Sequence, residues 1–506
     1  MALPALDVLY DGPDGFVPRA AWVLDTLLAP LGCSARLIRE RGAAQGCALA
    51  YAAAPVDGVP TVPLDAGAAH LFDAGRPLPP GAFGAVTPAA ATARPLVAAF
   101  AADPAAGFAV PADVIASAFA LLACWDEHTS RERDRFGRLP YGASVFAANP
   151  ALRIEEPAVD RYVDELRGAL APRLAALGLD PLPPTGWMWR GQGGYGLALT
   201  HDVDNLWRWT PRGFAATGYR SARALRHRRW TALRKEAGDV REWATVHLPR
   251  RSDPFWTFPQ LLTGEDERHV SSTFFVIARH TDRRDGNQPG AYRRLIPRAL
   301  EMMRRGRREV GLHGNAADRT GADPLRHDRA DLAARAGAEV AGVRYHYLRC
   351  LYHETLGFVD QAGFTYDSSL AFAEHEGFRC GTSFPFHPYD LTHDRPLAVV
   401  ELPLAIMDTS LLEPQYRRLD AAAAEQTCRA VLDKVRDSGG GVAVLWHNNR
   451  FDRRSARGYD DVYWRLVEQA TAEGAFVGSA GQVVGRWLEQ TAGTAPDALS
   501  AKETQA

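Results

Sequence analysis

The first part of the chain, residues 1–180, mixes a short apolar run with longer segments of helical period. Residues 8–10 are continuously apolar, whereas residues 20–31, 113–127 and 158–177 place apolar side chains every three or four positions. A three-to-four residue period predicts amphipathic helices, and a short apolar run bounded by polar residues predicts a buried strand. Residues 1–180 are therefore predicted to form a smaller α/β domain.

A different rhythm follows a Pro- and Gly-rich segment, residues 181–196, which is predicted to be a linker. Short apolar runs now alternate with longer polar or amphipathic stretches, a pattern typical of βαβ units and a parallel sheet or barrel. The last residues, 490–506, are rich in Thr, Ala, Gly, Pro and Ser and are predicted to be disordered. The predicted strands are residues 197–200, 272–277, 309–313, 340–344, 399–404 and 442–447.

Composition narrows the class of protein. Hydrophobic residues make up 46% and charged residues 23% of the 506 positions, with a net charge of −2. These values are ordinary for a globular protein and give no sign of a general polyanion binder. The six cysteines include no Cys-x-x-Cys pair, which argues against a zinc-thiolate site or a disulfide framework. We find neither a signal peptide nor an apolar run of membrane-spanning length, and we expect a cytoplasmic protein, either free or peripheral to the membrane.

The candidate chemistry lies at the ends of predicted strands. Asp202 and Asp204 follow the first apolar run of the second part, and His313 and His447 end two later runs. Residues two apart on a strand point to the same face, so one carboxylate can bind a metal while the other takes a proton from water. Strand ends are also where α/β enzymes place catalytic groups.

These motifs, in this order, resemble the polysaccharide deacetylase family (carbohydrate esterase family four), in a divergent branch with an extra N-terminal domain. The family opens its catalytic domain with Thr-Phe-Asp-Asp, and this chain has Thr-His-Asp-Val-Asp at 200–204. The resemblance spans residues 197–489 and implies an irregular (β/α) barrel with metal-dependent N-deacetylase activity. Its further segments are Ser-Thr-Phe-Phe-Val at 272–276, Gly-Leu-His-Gly at 311–314, Arg-Tyr-His-Tyr-Leu at 344–348, Gly-Phe-Thr-Tyr-Asp-Ser-Ser at 363–369 and Leu-Trp-His at 445–447.

The resemblance also implies residue roles. Asp202 matches the general base, and Asp204 and His313 match metal ligands. Zinc is the expected metal, with nickel or cobalt as alternatives. The other implied roles are Arg344 orienting the base, the Tyr347 backbone N–H as oxyanion donor, His447 as the acid for the leaving amine, and Asp367 as a partner of Arg344 or of that acid.

One expected ligand is missing. The family motif has a second histidine four residues after the first, and this chain has Ala317 there. His346, at the neighbouring strand end, is the preferred replacement. His201 is a poorer candidate because strand alternation turns it away from the two carboxylates, and Asn315 and Asp318 are further alternatives.

Two other segments suggest contacts with a ligand. Residues 377–390 are rich in aromatics, Pro and Gly and are predicted to lie over the barrel mouth, where Arg379 and Phe384 would contact substrate; Asn448 is a third candidate. An Arg-rich insertion at 207–252 with interleaved tryptophans is either a solvated helix face or a surface for anionic lipid or a pyrophosphate-linked sugar. No nucleic-acid reader motif accompanies it, so nucleic acid is not the expected partner.

The resulting prediction is a hydrolase that removes an N-acyl group from an amino sugar of a surface-glycan precursor or a lipid- or nucleotide-linked sugar. A small-molecule amidohydrolase is an alternative within the same chemistry. The alternative of another class is a metal-free glycan-binding or scaffolding protein on the same barrel, which the alanine at position 317 favours.

Overall fold

The computed structural model describes residues 3–87, 96–189, 194–209, 211–246, 253–281, 285, 289–452 and 458–492. The first part of this chain builds a parallel sheet of four strands in the order β2-β1-β3-β4, with a separate two-stranded antiparallel pair, β5-β6. Its strands are β1 (Ala5–Asp11), β2 (Ser34–Ile38), β3 (Leu49–Ala52), β4 (Thr61–Pro63), β5 (Gly84–Val86) and β6 (Leu96–Ala98). Its helices are α1 (Val17–Leu28), α2 (Ala66–Asp73), α3 (Val114–Leu122), α4 (Trp125–Thr129), α5 (Val145–Ala148) and α6 (Ala158–Ala176).

The second part alternates strands and helices, as its apolar rhythm predicts. Its strands are β7 (Gly196–Val203), β8 (Thr273–Val276), β9 (Glu309–Gly314), β10 (Gly342–Tyr345), β11 (Tyr366–Asp367), β12 (Tyr389–Asp390), β13 (Arg395–Pro396), β14 (Val400–Glu401), β15 (Leu404–Met407), β16 (Gly441–Leu445) and β17 (Phe476–Gly478). Its helices are α7 (Pro211–Arg226), α8 (Trp230–Val246), α9 (Phe258–Glu267), α10 (Pro289–Arg305), α11 (Ala322–Ala336), α12 (Tyr352–Gln361), α13 (Asp408–Leu412), α14 (Ala421–Ser438), α15 (Tyr459–Ala472) and α16 (Ala480–Gln490).

Nine of these strands form one curled parallel sheet, in the order β14-β11-β10-β9-β8-β7-β16-β15 with β17 also pairing with β7. β12 and β13 form a separate antiparallel pair. β14 and β15 belong to one stretch of chain, interrupted only at Leu402 and Pro403. Leu402 N donates to Asp367 O on one side, and Pro403 O accepts from Ala443 N on the other. The same stretch therefore borders both edges of the sheet, and the predicted irregular barrel preceded by a smaller α/β unit is confirmed.

The end of the barrel where the strands begin is filled by a tryptophan. Trp189 is buried, and its indole N–H donates to Gly439 O at 2.9 Å. A Cβ on Gly196 or Gly441, the first residues of β7 and β16, would lie 2.8 or 2.6 Å from this ring. Trp189 falls inside the segment predicted to be a linker, so the part of that segment that the structure describes includes packed core. Candidate catalytic side chains therefore have to lie at the opposite rim of the barrel, where the strands end.

The two units share a continuous hydrophobic core. Trp22 of α1 donates its indole N–H to His387 O at 2.8 Å, and its ring lies 4.8 Å from that of Tyr389. Asp160 of α6 accepts hydrogen bonds from the hydroxyls of Thr382 and Ser383. Because these contacts are buried, the smaller unit is held against the barrel rather than tethered beside it.

The described part of the Arg-rich insertion contains two consecutive helices, α7 and α8, which follow β7. None of the helices within the described ranges has the length and apolar character needed to cross a bilayer. All six cysteines are free and buried. The segment predicted to be a disordered tail lies outside the described residues from position 493 onward.

Candidate metal centre and catalytic residues

The end of β7 presents polar side chains to both sides of the sheet. Thr200 and Asp202 face the barrel interior, where both contact Arg344. His201 points the other way: its Nδ1 donates to Trp446 O at 2.7 Å and its Nε2 lies 3.2 Å from Glu265. The alternation that turns His201 away from the two carboxylates is therefore confirmed, as expected for a pleated strand.

Three side chains from three strand ends converge into a group that fits a metal ion: Asp204, His313 and His346. Nε2 of His313 lies 3.1 Å from Asp204 Oδ1, and Nε2 of His346 lies 3.6 Å from the same oxygen. Although Asp204 Oδ1 and His313 Nε2 are this close, both are buried atoms without a hydrogen bond to each other or to any other described residue. Nδ1 of His313 donates to Arg344 O at 2.9 Å, which leaves Nε2 with the free lone pair that a metal requires.

The other proposed substitutes for the missing histidine do not join this group. Ala317 begins a short 3-10 turn, Ala317–Thr320, that follows β9. Asn315 is engaged locally, its Oδ1 accepting from Ala317 N and its Nδ2 donating to Asp328. Asp318 accepts from Asn315 N, and burial raises the pKa of Asp318 to about 7. His346 is thus the residue that completes the cluster.

Asp202 is fixed by a buried arginine. Nη1 of Arg344 donates to Asp202 Oδ1 at 3.2 Å and to Thr200 Oγ1 at 2.7 Å. The rest of the guanidinium donates to the carbonyl and hydroxyl oxygens of Ser368. Asp202 Oδ2 lies 3.7 Å from His313 Nε2, so this carboxylate borders the cluster without being part of it. This arrangement suits a base that must keep one orientation.

Asp367 occupies a different place from the one expected. It accepts hydrogen bonds from the N–H and hydroxyl of Ser369, and burial raises its pKa to about 6. No hydrogen bond or ion pair joins it to Arg344 or His447 within the described part of the chain, and Ser368 takes the position beside Arg344. Asp367 supports the loop after β11.

His447 has a carboxylate partner that the sequence analysis missed. Asp408 Oδ1 lies 2.7 Å from His447 Nδ1, and Asp408 Oδ2 accepts from the His447 backbone N–H. Burial lowers the pKa of His447, but the charge and hydrogen bond of Asp408 outweigh it and raise the pKa to about 9. His447 Nε2 lies 3.6 Å from Asp204 Oδ2. Asp408 directly follows β15, so the strand-end rule applied to that run was the available signal.

Tyr347 lies at the rim with its side chain 38% exposed. Its ring stacks on that of His346, with centroids 3.9 Å apart. Its backbone is left-handed, with φ 60° and ψ 18°. The role of its N–H as an oxyanion donor stays a prediction.

The segment 377–390 is not over the barrel mouth. Ser383 O accepts from Gly441 N, at the start of β16, so this segment runs along the opposite end of the barrel and the interface with the smaller unit. Arg379 is buried in an ion pair with Glu127 of α4, and Phe384 packs in the core cluster that contains Trp189. Arg379 and Phe384 are therefore structural side chains, and the prediction that they contact substrate over the barrel mouth is wrong.

Asn448 follows His447 but turns its amide into the protein. Its Nδ2 donates to Asn205 O and Phe255 O at 2.9 and 3.0 Å, and its backbone carbonyl accepts from the Thr257 hydroxyl. These contacts tie the loop after β16 to the loop after β7. The predicted substrate contact of Asn448 has no support in this arrangement.

Comparisons with known proteins gave matches to parts of the chain. The model of a "Family of unknown function (DUF7033)" matches residues 16–174. No curated protein matches the chain.

Several solved structures are similar to the chain at low sequence identity. A Mycobacterium smegmatis protein assigned as a polysaccharide deacetylase is 20% identical, with 60% of this chain and 93% of that chain covered and a TM-score of 0.40. A pseudoenzyme of the CE4 family from Bacillus anthracis is 11% identical, with 57% and 65% covered and a TM-score of 0.31. A family 4 carbohydrate esterase from Streptomyces lividans, in complex with acetate, is 11% identical, with 57% and 93% covered and a TM-score of 0.29. At such low similarity the chemistry has to rest on the side chains of the site itself.

Proposed function

We propose that this protein is a metal-dependent hydrolase that removes an N-acyl group from an amino sugar in a surface-glycan precursor or a lipid- or nucleotide-linked sugar. One observation carries the proposal: a candidate metal cluster, an arginine-held carboxylate and a carboxylate-bound histidine meet around Asp204. Amide hydrolysis needs a base for water, an acid for the leaving nitrogen and stabilisation of an oxyanion. The order of the motifs at 200–204, 311–314 and 445–447, which resembles that of polysaccharide deacetylases, supports the choice of an N-acyl sugar.

The proposed mechanism assigns a task to each side chain. Asp204, His313 and His346 would hold the cation, zinc being the expected one, which supplies Lewis-acid activation of water and of the acyl carbonyl. Asp202 takes the proton of the attacking water, because Arg344 keeps one of its oxygens engaged and leaves the other beside the cluster. His447, kept protonated by Asp408, gives a proton to the leaving nitrogen. The products are a carboxylic acid and a free amino sugar.

The test combines metal analysis with turnover. Protein stripped with a chelator is reloaded with zinc, nickel or cobalt, and acetate release is measured from UDP-N-acetylglucosamine and N,N′-diacetylchitobiose. We expect one cation per chain and metal-dependent acetate release. Asp202→Asn is expected to lower turnover by about 100-fold or more while metal content stays unchanged, because general acid–base groups contribute about that much.

Contrary results point to the alternatives. A folded protein that takes up no metal and releases no acetate would instead be a glycan-binding or scaffolding protein. A loaded protein that hydrolyses a simple N-acetylated amine but neither sugar would be a small-molecule amidohydrolase. Equal turnover of wild type and Asp202→Asn would remove Asp202 from the mechanism.

We also propose that the α7–α8 pair contacts an anionic membrane surface. Most of the large hydrophobic side chains exposed among the described residues are Tyr219, Leu225, Trp230 and Val240 of this pair. The exposed cations Arg223, Arg226, Arg228, Arg229 and Arg234 lie in the same segment. Exposed aromatic and aliphatic groups among arginines suit the interface of an anionic bilayer. Because α7 follows the strand that carries Asp202, this surface would bring a lipid-linked substrate towards the site.

A further inference from the structure

The three histidines of the site are oriented in different ways. Nδ1 of His313 bonds to Arg344 O, and Nδ1 of His447 bonds to Asp408. Nδ1 of His346 is buried and has no hydrogen-bond partner among the described residues. A metal-binding histidine normally has its ring fixed by a hydrogen bond from its other nitrogen. In His346 something else has to hold the ring.

Packing on Tyr347 holds it. The two rings are stacked at a centroid distance of 3.9 Å and an interplanar angle of 19°. Among the described residues the second ring in contact with His346 is that of His313, at a centroid distance of 4.9 Å; it is tilted by 51° and so does not stack on His346. The Tyr347 ring therefore sets the plane of the His346 ring, in which the lone pair of its basic nitrogen lies.

Tyr347 is in turn held from the smaller unit. The ring of Phe136 stacks on it at 4.7 Å and 20°, and Arg138 Nη1 donates to Tyr347 O at 2.8 Å. Asp134 fixes the guanidinium of Arg138 through two hydrogen bonds, of 2.9 and 2.6 Å. The segment 134–138 of the smaller unit thus crosses the interface between the two units. It contacts Tyr347, the residue next to the candidate metal ligand His346.

The backbone of Tyr347 needs such support. Tyr347 and Leu348 both have left-handed φ values, 60° and 54°. For residues with a Cβ this conformation is strained and persists where surrounding contacts over-determine it. The hydrogen bond from Arg138 and the stacked Phe136 are contacts of this kind.

We propose that the segment 134–138 of the smaller unit is a positioning device for His346 and that the divalent-cation site is incomplete without it. Phe136 and Arg138 act as positioning residues through Tyr347. This inference rests on the metal site of the proposed function. The smaller unit would thereby help to orient His346, because the stacked rings of Phe136 and Tyr347 take the place of the hydrogen bond that His346 Nδ1 lacks.

The test measures zinc affinity in the full-length protein without any substrate, by competition with a chelating dye. Phe136→Leu keeps apolar volume but removes the stacked ring, and Phe136→Tyr restores a ring. Phe100→Leu is the matched control, since Phe100 is also partly buried in the smaller unit but packs on Phe72, away from Tyr347. We expect Phe136→Leu to weaken zinc binding by about 10-fold, as for other residues that orient metal ligands, and Phe136→Tyr and Phe100→Leu to stay within about twofold.

The d–d absorption of bound Co²⁺ gives a second readout, which should change in Phe136→Leu and stay unchanged in Phe100→Leu. If Phe136→Leu does not fold, Arg138→Gln, which removes the bond to Tyr347 O, replaces it with the same expectation. Equal zinc affinities and Co²⁺ spectra in Phe136→Leu and Phe100→Leu would overturn the inference and leave the hydrolase proposal standing. Tight zinc binding that depends on Phe136, in a protein that releases no acetate, would support the inference and end the hydrolase proposal.

Discussion

At the scale of single residues, the pair of His447 and Asp408 sets the protonation of the site. The pKa of His447 lies at about 9 because Asp408 outweighs the effect of burial. The imidazole is therefore protonated at neutral pH and loses its proton as the pH rises through about 9. The stabilisation that this pair contributes to the fold is complete below the unfolded-state pKa of about 6.5 and is lost over the interval between these two values.

We predict that Asp408→Asn moves the alkaline limb of turnover to lower pH. Without the carboxylate, the pKa of His447 falls towards that of a free imidazole, so the acid form disappears nearer neutrality. The measurement is the pH profile of acetate release from pH 5 to 10, with His447→Ala expected to remove most of the turnover.

Asp390→Asn is the matched control. Asp390 also pairs with a histidine, His393, at 2.6 Å, on a different part of the surface. This variant should keep the wild-type profile. An unchanged alkaline limb in Asp408→Asn would mean that another group supplies the proton to the leaving nitrogen.

At the scale of elements, the α7–α8 pair exposes more positive charge than its salt bridges to described residues neutralise. Arg220 is paired with Glu236 between the two helices. Arg223, Arg226 and Arg229 are exposed and have no salt bridge to the described residues. The cations beside Trp230, itself 64% exposed, are what a surface for anionic headgroups requires.

We predict that replacing Arg223, Arg226 and Arg229 with Gln weakens binding to vesicles of mixed phosphatidylserine and phosphatidylcholine. Each arginine near an anionic bilayer contributes about 1 kcal/mol, so three together amount to roughly 100-fold in the apparent Kd at low salt. Sedimentation with vesicles measures the change.

The control replaces three exposed arginines outside the pair, Arg293, Arg294 and Arg307, with Gln. It should bind as wild type does. If the wild-type protein does not bind vesicles even at low salt, the α7–α8 pair is not a membrane-binding surface. If both triple variants lose binding equally, binding depends on the net charge of the protein and not on this pair.

At the scale of the whole molecule, the two units are joined by buried polar contacts as well as by apolar ones. Arg379 and Glu127 form an ion pair in which both side chains are almost fully buried. Glu127 also accepts from Tyr352 N of α12. Removing one member of a buried pair leaves an uncompensated charge and costs about 3–5 kcal/mol.

We predict that Arg379→Ala destabilises both units together by an amount of this order, in one unfolding transition. Urea unfolding followed by tryptophan fluorescence and by far-UV circular dichroism measures it, and the two curves should coincide. Arg161→Ala, which breaks a more exposed pair with Asp164, should cost at most about 1 kcal/mol. A raised KM with unchanged stability in Arg379→Ala would return this residue to substrate binding.

The sequence by itself determined the class of fold and the core of the candidate site. Apolar runs predicted β7, β8, β9, β10, β14 and β16, because burial on both faces of a parallel strand favours continuous hydrophobicity, as in the fully buried β16. Since parallel strands of a barrel end at the same rim, residues after those runs had to converge, and Asp204, His313 and His346 do.

Only the tertiary structure decided which polar residues of the loops meet the site. Arg379 and Phe384 lie in a segment with no period, whose direction depends on packing against the smaller unit. Phe136 reaches Tyr347 from a distant part of the chain. Local patterns encode which way a side chain points along a strand or helix, whereas contacts between loops depend on how whole elements pack, and no spacing along the chain records that.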